Sequence, residues 1–569
     1  MWQFIPPLAD IRFVIEDYLQ LPAAWAALPA FADLDADTAA QIVEAAGTFA
    51  AEVTAPINSA GDLQGCAWRD GKVTSPAGYR DAYQAFVAAG WPALAHDPQI
   101  GGQGLPQVLN AALYEMLSAA NHGWTMYPGL LHGACDCLHL HGSPALKEAY
   151  LGRIVSGEWL STMCLTEAQA GSDLGLIRTR ANPSPDGSFA LSGTKIFISG
   201  GEHDLSDNIV HLVLARLADA PAGTKGLSLF LAPKLLPDGA ANALRCDGIE
   251  KKMGIKGSAT CVMSFEGATA WLVGEPNRGL AAMFAMMNAA RLHVGLQGLG
   301  HAEMAHQNAL RYAQERVQGQ GRPIVEHAPM RRTLLRQRTL VEGARMLAYE
   351  TAHWLDLAHH AAGDAARQQA LDDVSLLTPI VKAFLTDNGF AIASDALQVF
   401  GGHGYIHDWG IEQCVRDSRI AMVYEGTNEI QAIDLLARKV VPDGAAKLNA
   451  LFDRLAAALP DTPLGATVQR ELNGFRTLTA QVVAAAQADA EAPQRVAVDY
   501  LRASGLLLLA QAWARADAVA AQAAPSTPLH EAKRVSAAHY IDFVLPEATL
   551  RSTLVARGLQ PLPRFAESA

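Results

Sequence analysis

The stretch MVYEGTNEIQ, residues 422–431, sets a single carboxylate, Glu425, between an aromatic residue and a glycine. The apolar residues before it predict partial desolvation, and a chain gains no stability from burying an unpaired charge. Thr427 and Asn428 are good helix N-caps, and Asn428 with Gln431 has capping-box spacing, so a helix is expected to begin just after Gly426. Backbone N–H groups and a partial positive charge would then lie beside the carboxylate. An anionic intermediate or a reduced cofactor could be stabilised there. The plainer reading is a capped helix carrying a surface glutamate.

Three other stretches bring chemistry-bearing residues together. MCLTEAQAGSDLG packs Thr166, Glu167, Ser172 and Asp173 around Gly171, and IFISGGE follows it. Hydroxyls and loop amides suit the polar rim of a cofactor, while Met163, Leu165, Phe197 and Ile198 offer apolar surface to a flat ring. A polar turn between two elements is the alternative. LQVFGGHGYIHDWG has three glycines in four residues, which permits close backbone approach to a diphosphate, yet it lacks the features of a Walker or dinucleotide fingerprint. LLHGACDCLHLHG gathers His132, Cys135, Cys137, His139 and His141. On a helix only His132, Cys135 and His139 would share a face, and no HExxH or paired CxxC pattern supports a metal, so helix packing is the preferred reading.

The elements that must position these residues fall in four blocks. Residues 35–160 are Ala-rich with apolar spacings of three and four, the pattern of amphipathic helices. Residues 161–280 change to short β-prone runs (FALSGTKIFISG, NIVHLVLARL, GLSLFLAP, ATCVMSFEGATAWLVG) that suggest a small β-domain or barrel. Long helical patterns return over 281–441, and VVPDGAA marks a boundary before a further helical block at 442–569. Residues 1–34 form a strap ahead of the first block. The fold class expected is α+β, layered rather than doubly wound.

At 569 residues the chain can bury a large cofactor. Forty-four basic residues against 57 acidic ones give a net charge of −13, which disfavours nucleic acid and anionic membranes as partners. Seven scattered cysteines fit a reducing compartment. The opening MWQFIPPLADIRFVIEDYL carries acidic residues where a signal peptide needs positive ones, and SGLLLLAQAWA is shorter than the roughly 20 residues of a bilayer span. A cytoplasmic protein with no membrane span is expected.

Taken in order, LTEAQAGSDL, KKMGIKGSATC, LVGEPNRGL, QVFGGHGY and MVYEGTNEIQ resemble the signatures of the acyl-CoA dehydrogenase family of flavoproteins. The resemblance runs from about residue 35 to 441. The extra length and the opening PPLADIRFVIEDYL are similar to the long bacterial branch, that of broad-range fatty acyl-CoA and 3-methylmercaptopropionyl-CoA dehydrogenases. The resemblance implies a helical N-terminal domain, a middle β-barrel, a helical bundle carrying the catalytic glutamate and an extra C-terminal helical domain. It also implies FAD as cofactor and a place in fatty acid β-oxidation. Glu425 would be the base that removes the α-proton of an acyl-CoA thioester, while a hydride passes from the β-carbon to the flavin, giving trans-2-enoyl-CoA. The thioester oxygen would be held by the Glu425 N–H and a flavin ribityl hydroxyl. A base of this kind needs a raised pKa, which desolvation by the acyl chain would give, with Val423 and Tyr424 as apolar surroundings.

By the same resemblance Met163, Leu165, Thr166, Ser172, Phe197 and Ser199 would line the flavin. Arg316 and the run from Gln398 through Gly401 to Gly402 would meet its diphosphate and adenosine from a neighbouring subunit. Thr427 and Glu429 would complete the cofactor contacts. Ser172, Asn288, Arg291, Tyr424 and Gly426 would meet the substrate. Two residues depart from the family pattern: Phe197 stands where many members have Trp, and Asn288 replaces a frequent Asp. The partners implied are an acyl-CoA, an electron-transferring flavoprotein and a second copy in a homodimer. An acyl-CoA oxidase on the same fold and a non-catalytic flavin-containing binding protein are the rival functions; the latter would expect a basic surface.

Overall fold

A computed structural model describes residues 2–561, apart from the side chains of Ala285, Asn288 and Ala289. The chain divides into two compact units. One comprises residues 46–105 and 116–293, the other residues 1–45, 106–115 and 294–569.

The first unit is built on a seven-stranded mixed sheet: β1 (Leu160–Cys164), β2 (Arg180–Pro183), β3 (Phe189–Ser199), β4 (Ile209–Arg216), β5 (Leu227–Pro233), β6 (Leu244–Ile249) and β7 (Thr260–Val273). The strands run β4-β2-β3-β7-β5, and β5 pairs back onto β4, so the sheet closes on itself as the β-prone runs suggest. β1 lies parallel to β4 outside the ring, and β6 pairs with β7. Closure removes edges that would otherwise expose unpaired backbone. Val213, Phe230, Leu191, Met263 and Phe265 fill the interior. β3 shifts register between Lys195 and Ile198, a bulge that re-aims the residues between them.

The second unit is helical. Its long elements are α1 (Gly279–Glu315, whose residues from Val294 onward belong here), α2 (Ala328–His360), α3 (Asp364–Phe400), α4 (Ile411–Ser418) and α5 (Asn428–Ile433), followed by α6 (Pro463–Ala488), α7 (Ala492–Gln522), α8 (Pro528–His539) and α9 (Pro546–Gly558). The apolar run SGLLLLAQAWA is the middle of α7 and is buried all round, which explains its composition. Among the described residues no helix is long and apolar enough to cross a membrane. A buried polar cluster ties this unit together. Arg345 donates to Glu115 at 2.6 and 2.9 Å and to Glu303 at 2.6 Å, and the Tyr349 hydroxyl donates to Glu115 at 2.6 Å. Beside it Lys533 of α8 holds Asp10 of the N-terminal strap at 2.5 Å.

Candidate active site

In the helical unit the Glu425 turn is fixed through its carbonyl groups. Gln431 Nε2 donates to the Glu425 carbonyl at 2.9 Å, and Lys382 Nζ donates to the Gly426 carbonyl at 2.8 Å. Glu425 itself has φ 57°, a left-handed conformation that costs a non-glycine residue of order 1–3 kcal/mol and persists only where the surroundings over-determine it. Gly426 follows at φ 86°, and a Cβ there would stand 2.8 Å from Gln431 Nε2, so only glycine fits without displacing that side chain.

The helix after Gly426 begins as expected, but its cap is different. The Thr427 side chain accepts from the Ile430 N–H, whereas Asn428 is buried. Asn428 Oδ1 accepts from Lys382 at 2.8 Å, and its Nδ2 donates to Asp387 at 2.6 Å. Gln431 serves the Glu425 carbonyl instead of completing a capping box. Tyr424 donates its hydroxyl to Gln297 Oε1, and burial together with the adjacent Glu425 charge pushes that hydroxyl's pKa up. Val423, expected to surround Glu425, is 46% exposed and instead lines a cavity of about 210 Å³ together with Thr427, Glu429 and Arg419.

Arg316, Gln398, Gly401 and Gly402 are all exposed. Tyr312, one turn before Arg316, stacks on Phe400 with ring centroids 4.2 Å apart, and its hydroxyl lies 2.9 Å from His403 Nδ1. The structure thus brings Arg316 and the glycine turn together at one end of α3. Gly401 (φ 58°) makes the turn that ends that helix.

In the barrel unit, Met163, Leu165, Thr166 and Ser199 are half-buried and Ser172 is exposed, while Arg291 is buried. Asn288 lies outside the described side chains. Phe197 is the distinctive residue: it sits in the β3 bulge at φ 60° with 59% of its surface exposed. A large aromatic side chain presented to solvent by a strained backbone is poor packing but a good platform for a flat ring. Behind it, two buried residues that sequence reasoning did not single out as a pair organise the loop. Lys195 Nζ donates to Glu167 Oε1 and to the Leu165 carbonyl, both at 2.9 Å, while Ile196 N–H donates to the Thr166 carbonyl at 2.9 Å. Glu167 also accepts from Thr179 Oγ1 at 2.6 Å and the Arg178 N–H at 2.8 Å. Burial alone would raise the Glu167 pKa, but Lys195 and these donors bring it down to about 2. The only sequence signal for Lys195 is a lone lysine inside a β-prone run.

The histidine-rich helix at Leu131–His141 serves packing. His132 stacks on His96 at 4.2 Å and meets His293 edge-on at 5.5 Å, and burial holds all three pKa values low, those of His96 and His293 at about 4. Among the described residues no cluster of ligands could hold a metal ion.

Sequence comparison then decides the family. Residues 36–158, 162–268 and 277–440 match the N-terminal, middle and C-terminal domains of acyl-CoA dehydrogenases, and residues 443–563 match a further domain described as acetyl-CoA dehydrogenase C-terminal like. The chain belongs to the acyl-CoA dehydrogenase family. It is an oxidoreductase of that class, with helical N- and C-terminal domains and a mixed-sheet middle domain. It is 43% identical over 511 residues to the 3-methylmercaptopropionyl-CoA dehydrogenase of Ruegeria pomeroyi, covering 88% of this chain and 85% of that protein. The broad-specificity linear acyl-CoA dehydrogenase FadE5 of Mycobacterium tuberculosis is 36% identical over 438 residues, 73% of this chain and 71% of its own. Among solved structures, ACDH-11 of Caenorhabditis elegans in complex with C11-CoA shares the fold, with a TM-score of 0.79 and 18% identity over 96% of this chain and 93% of that one.

Proposed function

We propose that the protein is an FAD-dependent acyl-CoA dehydrogenase in which Glu425 removes the α-proton of the thioester. The observation that carries this reading is the Glu425 turn. A carboxylate is kept in a strained left-handed conformation by Gln431 and Lys382, both bonding to backbone carbonyls around it. Strain retained at such expense is what a precisely aimed base requires, since proton transfer depends on approach geometry before it depends on pKa. The residues present fit the cofactor: the exposed Phe197 offers a face to a flat ring, and Thr166 and Ser199 offer hydroxyls beside it. When bound, FAD supplies the acceptor for the β-hydride. Arg291 and Ser172 are assigned to the CoA arm and substrate, and the Glu425 N–H to the thioester oxygen.

The product is a trans-2-enoyl-CoA, and an electron-transferring flavoprotein takes the electrons. The exposed Arg316, Gln398, Gly401 and Gly402 are assigned to the cofactor of a second copy, in a homodimer that light scattering would report. Roughly 11 residues of helix, or about 16 Å, separate Asp387 at the Thr427 cavity from Gln398, which supports two separate cofactor contacts on one chain.

Anaerobic titration with a panel of acyl-CoA esters, including straight-chain and methylthio-substituted ones, tests the reading through the flavin absorbance band. Bleaching by one class of ester is expected, with the Glu425→Gln variant keeping its FAD but bleaching about 10²–10⁴-fold more slowly. A Gln variant as fast as the parent would remove Glu425 from the mechanism, and peroxide formed in air would favour the oxidase reading.

A further inference from the structure

The turn after α3, residues 401–410, holds only two short 3-10 helices, so side chains must give it its shape. His403 and Trp409 stack at 4.3 Å with 7° between their planes, and Tyr312 meets Trp409 edge-on at 5.7 Å. The stack ends at Gly410, which has φ 75° and precedes α4. A residue from the other end of the sequence closes it there. Trp2 lies so near that a Cβ on Gly410 would stand 2.9 Å from the indole Cγ, and glycine is what admits the ring. The indole N–H is buried and finds no partner among the described residues, so the ring is kept for its shape and area and not for a bond.

The backbone of the strap aims Trp2. Asn308 of α1, itself buried, accepts from the Gln3 N–H at 3.1 Å and donates to the Gln3 carbonyl at 3.0 Å, and Gln307 does the same for Ile5 at 2.7 and 3.3 Å. Arg311 adds a bond to the Gln3 side chain at 2.9 Å. These residues lie within about one helical turn of Tyr312, on which the aromatic stack is built. The far end of the strap is pinned separately to the C-terminal block: Lys533 holds Asp10, and Tyr18 donates to Glu350 at 3.2 Å with the Arg515 guanidinium of α7 4.4 Å above its ring. α7 is seated closely on α3, since a Cβ at Gly505 would stand 2.5 Å from the Phe384 ring. Loss of Trp2 therefore frees the near end of the strap alone.

We propose that Trp2 is a positioning residue for the glycine turn, holding residues 401–410 in the shape in which Gly401 and Gly402, with Arg316 and Gln398, meet the cofactor of a second copy. This rests on the assignment of those four residues under the proposed function, and it adds the strap, which lies ahead of the matched family domains beginning at residue 36. A strap that only tied the two ends of the chain together would need Asp10 and Tyr18 but no aromatic ring laid on a glycine.

The test uses the flavin-free full-length protein, with amide hydrogen exchange read by mass spectrometry and FAD binding followed by fluorescence quenching. Trp2→Ala should speed exchange over residues 401–410, leave α2 as protected as in the parent, and weaken FAD binding about 10-fold, the scale of one lost aromatic contact. Trp2→Phe should restore both, because the indole N–H bonds nothing. Gly402→Val tests the turn itself: a Cβ there meets nothing within 4 Å, so the fold accepts it and only a ligand close to the backbone feels it. It should weaken FAD binding without changing exchange. Parent-like exchange or parent-like affinity in Trp2→Ala, with binding weakened in Gly402→Val, overturns the role of Trp2 and leaves the cofactor assignment of the turn standing. Gly402→Val binding FAD as tightly as the parent, or a parent that takes up none, overturns that assignment and the proposal with it. Should Trp2→Ala fail to fold, Gln307→Ala decides by releasing Ile5: a loss of FAD affinity of about 3-fold, the scale of one hydrogen bond, is expected, and parent-like affinity overturns the proposal.

Discussion

Two buried lysines, one in each unit, do parallel work with different partners. Lys195 in the barrel and Lys382 in α3 are both 0% exposed, and each donates to a carbonyl of a chemistry-bearing segment, Leu165 in one case and Gly426 in the other. Lys195 meets its counter-charge directly, in the 2.9 Å pair with Glu167. Lys382 bonds to the amide oxygen of Asn428, whose nitrogen in turn reaches Asp387. The loop that carries Leu165 and Glu167 is held in a fixed shape by a direct ion pair satisfied by several donors. In the mechanism proposed above, the Glu425 turn must hold its shape while its carboxylate changes protonation, and the bonds from Lys382 and Gln431 to its backbone carbonyls supply that shape.

The largest effect that would break this comparison is at Lys195. Lys195→Met leaves Glu167 buried without its counter-charge, and a loss of about 3–5 kcal/mol is expected in denaturant unfolding. The double variant Lys195→Met/Glu167→Gln should recover part of it, and a single variant as stable as the parent would show that the pair anchors nothing.

Acid separates the two regions next. The Glu167 pKa is lowered from 4.5 to about 2, so its stabilisation is present above pH 4.5 and is lost as the pH falls toward 2, an effect of about 3 kcal/mol. Burial raises the Asp387 pKa despite Asn428, which gives the opposite sign: the folded state takes up that proton first, and this group favours folding as the pH drops toward its unfolded value. Unfolding curves between pH 5 and 2 should therefore flatten in Glu167→Gln; an unchanged slope would remove Glu167 as the acid-sensitive group.

The smallest effect is expected at Lys382. Lys382→Met removes donors to the Gly426 carbonyl and Asn428, at about 1–3 kcal/mol. Flavin reduction by acyl-CoA should slow while FAD stays bound. Unaltered reduction kinetics would mean that the Glu425 turn holds itself.

Much of this was legible in the sequence, for local reasons. The helix start at Thr427 lies in a short motif whose residue types announce it, and the run FALSGTKIFISG coincides with β3 almost to the residue. β6 was harder to see, because Asp247 and Gly248 interrupt its apolar pattern. The Asn428 and Gln431 spacing indicated a helix start correctly, yet gave both side chains local tasks. Asn428 is taken instead by Lys382 and Asp387, 46 and 41 residues away, and a local pattern carries no information about such partners. The same limit hides Lys195 and Lys382, whose lone charges in apolar surroundings say that they are buried but not what they bind.

The contact between Gly505 and Phe384 also bears on the order in which the chain can be completed. The two residues are separated by about 120 positions, so a ribosome adding roughly 5–20 residues per second presents α3 on the order of ten seconds before α7 exists to cover it. During that interval the Phe384 face is uncovered apolar surface of the kind that chaperones bind. The helical unit is thus one whose maturation waits on the synthesis of α7.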